Sequence, residues 1–251
     1  MIVDSHCHSG NFSPLFRGEH SASELVADQG EAAVTHAVLS ILDRDDMAAG
    51  NDVTHAAIQA NPGRVFGEMY LNPHYLADSM REIDRCIDLG GFVGVKMHPS
   101  EDAWFPWIRD YYPIYEKLEQ AGLPILMHSG TYPHSNPLGI AKAARDFPGI
   151  PFIMGHFGLA DLSWECFPAA DLSENVYVDT TANPLVRVMR EWLDEFGAHR
   201  MLWGSDFPFY DVKYELQKLD ALNLSEEERV LVSHQNAIRI FGLDDSSTIQ
   251  R

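Results

Sequence analysis

The chain has 251 residues, of which 45% are hydrophobic and 22% charged, the composition of an ordinary soluble globular protein. Its formal net charge of −19 argues against a nucleic-acid or anionic-membrane partner, and we expect a small-molecule substrate instead. The length is close to the roughly 250 residues of an eight-fold strand/helix barrel, so we expect one domain over residues 1–251.

The cysteines and the apolar segments indicate a compartment. Cys7, Cys86 and Cys166 are widely spaced and odd in number, which favours free thiols in a reducing environment. The N-terminus lacks a basic segment followed by a long apolar one, and no apolar run approaches the roughly 20 residues that span a bilayer. We therefore expect a cytoplasmic protein with no membrane partner.

The first predicted strand, MIVDSHCH, ends in a pair of histidines. Alternate side chains of a strand share a face, so Asp4, His6 and His8 should point one way. Two imidazoles separated by about 6.6 Å along a strand can converge on one cation. The pair alone is a weak indication, which further ligands at the ends of other strands would strengthen.

Seven more apolar segments follow, separated by helical patterns. The predicted strands are residues 35–42, 64–71, 92–98, 124–128, 151–156, 175–180 and 200–206. Helices are predicted over 21–31, 45–61, 75–89, 138–147 and 184–196, before Gly122, near Leu162, and from about Asp211 and Ser225. Buried parallel strands joined by helices predict an α/β protein, a distorted (β/α)8 TIM barrel. An open doubly wound sheet is disfavoured, because no Gly-x-Gly-x-x-Gly follows the first strand and too many strands end in polar residues.

Polar residues end most of these strands. The C-terminal strand ends of a barrel meet at one mouth, where catalysis takes place. The residues expected there are His6, His8, Lys96, His98, His128, His156, Thr180 and Asp206.

Five segments carry a family resemblance along the whole chain: DSHCH (4–8), GVKMHP (94–99), LMHSG (126–130), MGHFG (154–158) and LWGSDFP (202–208). Together they resemble the amidohydrolase superfamily, in particular its amidohydrolase-related branch, which includes aminocarboxymuconate-semialdehyde decarboxylase. The resemblance implies a TIM-barrel, metal-dependent hydrolase.

The resemblance also implies a ligand set. His6, His8, His128 and Asp206 would bind a first divalent metal, with zinc as the expected ion and iron, cobalt or manganese as alternatives. His156 would bind a second metal or act as an acid/base and polarising group. Asp206 would in addition take the proton from a metal-activated water.

Lys96 has two interpretations, which the sequence leaves open. Its amine could be carboxylated to a carbamate that bridges two metals, or it could remain a cation that holds a substrate carboxylate. Further candidate substrate contacts are His98, Arg17 and Tyr132, although His98 could instead cap its strand. The aromatic segment 104–112 could be a lid over the mouth or the interface of a homodimer.

The expected reaction is hydrolysis of a small ester, lactone or amide by metal-activated water, with His156 and Asp206 as catalytic residues and one or two metals per chain. The first alternative is a metal-dependent, non-oxidative decarboxylase of a small unsaturated or aromatic acid. Lys96 counts against it, since decarboxylases of this branch do not usually carry lysine there. The second alternative is a catalytically silent barrel that binds a metal or a metabolite.

Overall fold

The computed structural model describes residues 1–11, 19–41 and 46–243. Within these ranges, eight parallel strands form one sheet, and helices follow each of them. The sheet consists of β1 (Val3–His8), β4 (His36–Ser40), β5 (Val65–Tyr70), β6 (Phe92–Met97), β7 (Ile125–His128), β8 (Phe152–Gly155), β9 (Val176–Asp179) and β10 (Met201–Leu202). A short antiparallel ribbon, β2 (Gly10–Asn11) with β3 (Glu19–His20), follows β1 and was not predicted.

The helices that surround the sheet lie close to the predicted positions. They are α1 (Ala22–Glu31), α2 (Met47–Ala60), α3 (Leu76–Leu89), α4 (Tyr112–Ala121), α5 (Pro137–Asp146), α6 (Cys166–Leu172), α7 (Val186–Phe196), α8 (Val212–Ala221), α9 (Glu226–Val230) and α10 (Asn236–Phe241). The helix expected near Leu162 begins there as a 3-10 helix, Ser163–Glu165, and continues into α6.

The sheet closes on itself. Its strand order is β1-β4-β5-β6-β7-β8-β9-β10. Backbone hydrogen bonds then join β1 to the segment around β10: Ser5 N donates to Trp203 O (3.2 Å), Asp206 N to His6 O (2.8 Å) and His8 N to Phe207 O (2.7 Å). The predicted (β/α)8 TIM barrel is confirmed.

One irregularity in β1 decides which side chains face the barrel interior. Three steps along β1, from Asp4 to Cys7, correspond to only two steps along β4, so β1 carries an extra residue. Val3 belongs to an inner apolar cluster, whereas Cys7 packs in the outer layer with residues of β4 and α1. Asp4 accordingly bonds Gln29 of α1 (2.8 Å). The prediction that Asp4 shares a face with His6 and His8 is wrong, because a single inserted residue inverts the alternation of a strand.

Apolar packing stabilises the barrel on both sides of its wall. The larger cluster lies between the strands and the helices, and the smaller cluster joins five strands to α10. Full burial of one large apolar side chain contributes about 1.5–3 kcal/mol. The smaller cluster consists of Val3, Val38, Leu126, Ile153, Leu202, Ala237, Ile240, Phe241 and Leu243.

The last strand is shorter than predicted. Strand geometry was expected over 200–206, but β10 holds only Met201 and Leu202. Gly204 lies so close to β1 that an added Cβ would be 2.9 Å from the Cβ of His6. Asp206 has a φ of 55°, in the left-handed region that side chains with a Cβ rarely adopt. The chain leaves strand geometry here, and the bend carries Asp206 across the mouth of the barrel.

The aromatic segment 104–112 is anchored to the barrel. Trp104 is buried, with 2% of its surface exposed, and contacts Tyr111. Just before it, Asp102 accepts a hydrogen bond from Tyr70 Oη at its Oδ2 (2.6 Å), and its carbonyl lies 2.8 Å from His74 Nε2. Trp104 is therefore a core residue, and neither the lid nor the interface interpretation applies to it.

Two expectations about the compartment have partial outcomes. All three cysteines are buried free thiols, as predicted. Among the helices of the described ranges, none combines the length and the apolar character that a bilayer crossing requires. The cytoplasmic location stays a prediction.

Asn236, at the start of α10, is expected to contribute strongly to stability. It is fully buried, and its Nδ2 donates to the carbonyls of Ala198 and Met201, each at 2.7 Å. Asn236→Ala removes both hydrogen bonds, although the carbonyl of Ala198 still accepts from the N–H of Met201, so we expect the free energy of unfolding to fall by about 2–4 kcal/mol in urea denaturation. The exposed substitution Gln217→Ala should stay within about 0.5 kcal/mol of the unsubstituted chain. Equal midpoints for the two variants would contradict this role of Asn236.

Candidate metal centre and active site

The C-terminal ends of the barrel strands surround a pocket of about 310 Å³. Most of the residues that the sequence placed at the mouth line this pocket together with loop residues. The lining consists of His8, Lys96, His98, Glu101, His128, His156, Leu159, Ala182, Asp206, Phe209 and Tyr210. His6 lies directly beneath, in contact with Lys96 and next to the rings of His8 and His156.

His6 is held from both ring nitrogens. Its Nδ1 donates to Oδ2 of Asp179 at 2.8 Å, and its Nε2 accepts from Nζ of Lys96 at 2.6 Å. An imidazole that donates from Nδ1 carries its lone pair on Nε2, the form in which it can bind a cation.

His8 and Asp206 meet on the other side of His6. Nδ1 of His8 lies 3.0 Å from the hydroxyl oxygen of Ser40 and 3.2 Å from its carbonyl oxygen. Oδ1 of Asp206 lies 3.5 Å from Nε2 of His8 and 3.8 Å from Nε2 of His6. The second oxygen of Asp206, Oδ2, lies 3.8 Å from Nδ1 of His156. The Asp206 carboxylate thus presents Oδ1 to His6 and His8 and Oδ2 to His156.

His156 and Asp206 both have strained backbones. His156 has a φ of 67° and Asp206 a φ of 55°. Such conformations cost about 1–3 kcal/mol each and persist only where surrounding contacts impose them. At Gly155, beside His156, an added Cβ would lie 3.1 Å from Cε1 of His6. A side chain at position 155 would therefore press against the ring of His6.

His98 and His128 form a stacked pair on the opposite wall of the pocket. Their ring centroids are 3.9 Å apart and the rings are nearly parallel. Nε2 of His128 lies 2.9 Å from the Thr131 hydroxyl, and Nδ1 of His98 accepts from the backbone N–H of Glu101 at 3.2 Å. Hence His98 both lines the pocket and holds the loop that follows β6.

Burial keeps the histidines of the mouth neutral. It lowers the pKa of His8 and of His128 to about 3, and the charge of Lys96 adds to the effect. Burial likewise lowers the pKa of His6, His98 and His156 well below the ordinary value. Neutral imidazoles are the form that binds metals, so no proton has to be displaced from them.

Burial raises the pKa of the acids at the site and lowers the pKa of the lysine. Burial raises the pKa of the Asp206 carboxyl above its ordinary range, against the attraction of Lys96. Burial lowers the pKa of Lys96, which the negative charge of Glu68 opposes. Glu68 is fully buried inside the barrel, and neither carboxylate oxygen has a hydrogen-bond partner among the described residues. Lys96 thus has a buried acid nearby and the imidazole of His6 in contact.

The residues present fit a divalent cation. One donor atom each from His6, His156 and Asp206 lies within 4.8 Å of the others, and His8 joins them through Asp206. A set of neutral imidazoles with one carboxylate suits zinc and its first-row neighbours. The ring centroid of His128 is 4.8 Å from that of His156, and His128 is not one of the three residues of this group. His156 therefore lies closer to the centre of the cluster than the resemblance implied, and His128 lies farther away.

The other expected substrate contacts have mixed positions. Lys96 and His98 line the pocket. Tyr132 has 66% of its surface exposed, and the described lining does not include it. Arg17 lies outside the described residues. Thr180 does not reach the mouth as expected, because β9 ends at Asp179; its carbonyl accepts from Lys218 of α8.

Sequence reasoning missed three buried residues of the site: Glu68, Asp179 and Thr181. Asp179 is the last residue of β9. The predicted strand ended one residue later, at Thr180, so Thr180 was assigned to the mouth in place of Asp179. Thr181 follows, with its hydroxyl 2.8 Å from Nδ1 of His156. Glu68 is a charged residue within the apolar sequence of β5. Because strands of a parallel barrel are buried on both faces, a charged residue inside one could have indicated a functional role.

Known proteins resemble this chain over most of its length. Gamma-resorcylate decarboxylase of Rhodococcus jostii (strain RHA1) is 23% identical over an alignment of 248 residues. The match covers 77% of this chain and 75% of that protein. A 2,6-dihydroxybenzoate decarboxylase complexed with 2,6-dihydroxybenzoate superposes with a TM-score of 0.81 at 17% identity, covering 96% of this chain and 99% of that one.

Two further solved structures share the fold. The 5-carboxyvanillate decarboxylase of Novosphingobium aromaticivorans, complexed with manganese and a nitrobenzoic acid, has a TM-score of 0.80 at 16% identity and covers 97% of this chain and 96% of its own. A probable 2-pyrone-4,6-dicarboxylic acid hydrolase of Acinetobacter baumannii, with citric acid bound, has a TM-score of 0.74 at 15% identity. The superposition covers 96% of this chain and 99% of the hydrolase.

The family model for the amidohydrolases matches residues 3–243, nearly the whole chain. This match agrees with the barrel and with the histidines and aspartate gathered at its mouth. The chain therefore belongs to the amidohydrolase family and is an enzyme of the amidohydrolase superfamily, which uses a divalent metal.

Proposed function

We propose that this chain, as a single domain of residues 1–251, is a metal-dependent, non-oxidative decarboxylase of a small conjugated carboxylic acid. One observation carries the proposal and reverses the expectation that Lys96 counts against a decarboxylase: its buried amine lies in the pocket, 2.6 Å from Nε2 of His6. A cation beside a metal centre is suited to hold a carboxylate next to it. The named substrates of the similar proteins, gamma-resorcylate and 5-carboxyvanillate, are small acids of this kind.

The metal would be held by His6, His8 and Asp206, with His128 as the fourth ligand that the resemblance implies. Bound there, a divalent cation would act as a Lewis acid that stabilises negative charge developing on the substrate. Zinc is the expected ion from the donor set, and manganese is an alternative because a similar decarboxylase was solved with it.

The residues of the chain have distinct roles in this reaction. Lys96 donates hydrogen bonds to the substrate carboxylate. The bond between that carboxylate and the ring breaks, carbon dioxide leaves, and the electron pair stays on the ring carbon, which takes a proton. Asp206 supplies this proton from Oδ2, the oxygen on the side of His156. His156, which lies next to Asp206, accepts a hydrogen bond from the substrate.

Hydrolysis of a lactone or ester is the second candidate, and the position of Lys96 also favours it. A cation 2.6 Å from Nε2 of His6 competes with a divalent metal for the same lone pair. Reaction of a neutral Lys96 amine with carbon dioxide, with loss of one proton, would give a carbamate anion that two metals attract. Asp206 would then take a proton from the attacking water and give it to the leaving oxygen. His156 would bind the second metal.

A substrate panel distinguishes these reactions. We expect carbon dioxide release from at least one of 2,6-dihydroxybenzoate and 5-carboxyvanillate, and no ring opening of 2-pyrone-4,6-dicarboxylate. Prior treatment with a chelator should reduce the rate by about 100-fold or more, and added Zn²⁺ or Mn²⁺ should restore it. Carbon dioxide and substrate are measured together, so that decarboxylation appears as a one-to-one yield.

The panel also contains the results that would contradict the proposal. Pyrone hydrolysis without any carbon dioxide release would favour the hydrolase. Full activity after complete metal removal would exclude both reactions as described. Sensors or silent barrels would show neither activity, with or without added metal.

A further inference from the structure

Two buried residues at the end of β9 contact both His6 and His156. Asp179 is fully buried and accepts four hydrogen bonds. Its Oδ2 accepts from Nδ1 of His6 at 2.8 Å. Its Oδ1 accepts from the backbone N–H groups of His156 (2.8 Å) and Thr181 (3.0 Å) and from the Thr181 hydroxyl (2.6 Å). One carboxylate therefore contacts two of the histidines at the mouth of the barrel.

The direction of each hydrogen bond follows from what each group can donate. Oδ1 of Asp179 accepts from two backbone N–H groups, which can only donate, and it therefore also accepts from the Thr181 hydroxyl. The Thr181 hydroxyl has a single hydrogen, which goes to Asp179. Its Oγ1 must then accept from Nδ1 of His156, 2.8 Å away. Nδ1 of His156 therefore carries the ring proton.

Lys96 supports the same proton arrangement independently. Its Nζ donates to Nε2 of His6 at 2.6 Å, which places the ring proton of His6 on Nδ1. That proton points to Oδ2 of Asp179. The carboxylate is thus an acceptor on both of its oxygens, as the contacts of Thr181 require.

We propose that Thr181 and Asp179 are positioning residues that keep the ring proton of His156 on Nδ1, so that Nε2 is the atom this imidazole offers to the reaction. The role of Nε2 in catalysis rests on the proposed function. The position of the proton does not.

The same two residues also hold the strained backbone of His156. Its φ of 67° lies in the left-handed region, and the N–H of this residue is tied to Oδ1 of Asp179. Thr181 holds the ring and Asp179 holds the main chain, so both the position and the orientation of the imidazole depend on this pair. A hydroxyl is needed at position 181, since a methyl group in its place cannot accept the Nδ1 proton.

The proton position can be measured directly in the full chain. Protein labelled with ¹⁵N in its histidines and loaded with diamagnetic Zn²⁺ reports each ring tautomer in a long-range ¹H–¹⁵N correlation spectrum. We expect His156, assigned by the loss of its signals in His156→Asn, to show a protonated Nδ1. In Thr181→Val the Nδ1 signal should move toward that of an unprotonated nitrogen, and Thr181→Ser should restore it.

Kinetics on an acid that the panel identifies provide a second readout. We expect kcat of Thr181→Val to fall about tenfold, the size expected for one lost hydrogen bond, and KM to change less than about twofold. Thr181→Ser, which keeps the hydroxyl, should recover the kcat of the unsubstituted chain.

Each result has a defined meaning. A proton on Nε2 of His156 in the unsubstituted chain overturns the assignment, and this spectrum decides even if Thr181→Val does not fold. A spectrum unchanged by Thr181→Val overturns the role of Thr181, and a shifted tautomer with unchanged kcat overturns the role of Nε2. If the spectra match and no acid of the panel reacts, the tautomer assignment stands and the proposed decarboxylase is rejected.

Discussion

Asp206→Asn is expected to reduce kcat by about 1,000-fold or more on any acid that the chain decarboxylates. The amide has nearly the same shape, but it can neither exchange a proton at the position of Oδ2 nor become an anion that faces His6 and His8. The variant should therefore lose catalysis and bind the metal more weakly. Initial rates of carbon dioxide release and the metal content of the purified protein measure the two effects.

A matched control keeps this result specific. Asp171→Asn makes the same chemical change at an exposed position of α6 that does not line the pocket, and should leave kcat within about twofold. If Asp206→Asn kept full turnover with its metal in place, neither the decarboxylase nor the hydrolase mechanism would hold, because each moves its proton through Asp206.

Lys96→Met is expected to lower kcat/KM by about 30- to 100-fold without changing the metal content. Methionine has a similar length and no charge, so the variant loses the charge-assisted hydrogen bond to the substrate carboxylate. Glu68 can remain buried, since burial raises the pKa of its carboxyl and the neutral form is accessible. Elemental analysis of protein purified without chelator, together with steady-state kinetics, measures both quantities.

The same variant separates the two candidate reactions. If Lys96 carries a carbamate, the unsubstituted chain binds two metals, Lys96→Met binds one, and added bicarbonate raises the metal content of the former only. That result would favour the hydrolase and reject Lys96 as a substrate anchor. Lys142→Met, at an exposed position of α5, serves as the control and should change neither metal content nor rate.

Much of the fold was accessible from the sequence. Apolar strand segments alternate with helical ones at a steady pace, and a parallel sheet needs such crossovers, so the (β/α)8 barrel followed from the pattern. The same reasoning brought His6, His8, His156 and Asp206 to one mouth, because they follow apolar segments in a repeating order. The ends of the strands were less accurate, and the one-residue error at β9 exchanged Thr180 for Asp179.

Other features depend on contacts between residues far apart in the chain. The extra residue in β1 turns Asp4 outward, and no local signal in MIVDSHCH marks it. The network of Asp179 and Thr181 around His6 and His156 arises only where β1, β8 and β9 lie side by side.

The sequence by itself determined the barrel and the kinds of side chain at its mouth, since strand and helix periodicity and the position of polar residues at strand ends are local properties. The tertiary structure alone decided which ligands meet, which ring nitrogens carry protons and how close Lys96 lies to His6. The physical reason is that distances between strands are set by barrel closure, by the irregularity in β1 and by left-handed backbone at His156 and Asp206. Each of these is imposed by packing against distant segments and not by the neighbouring residues in the chain.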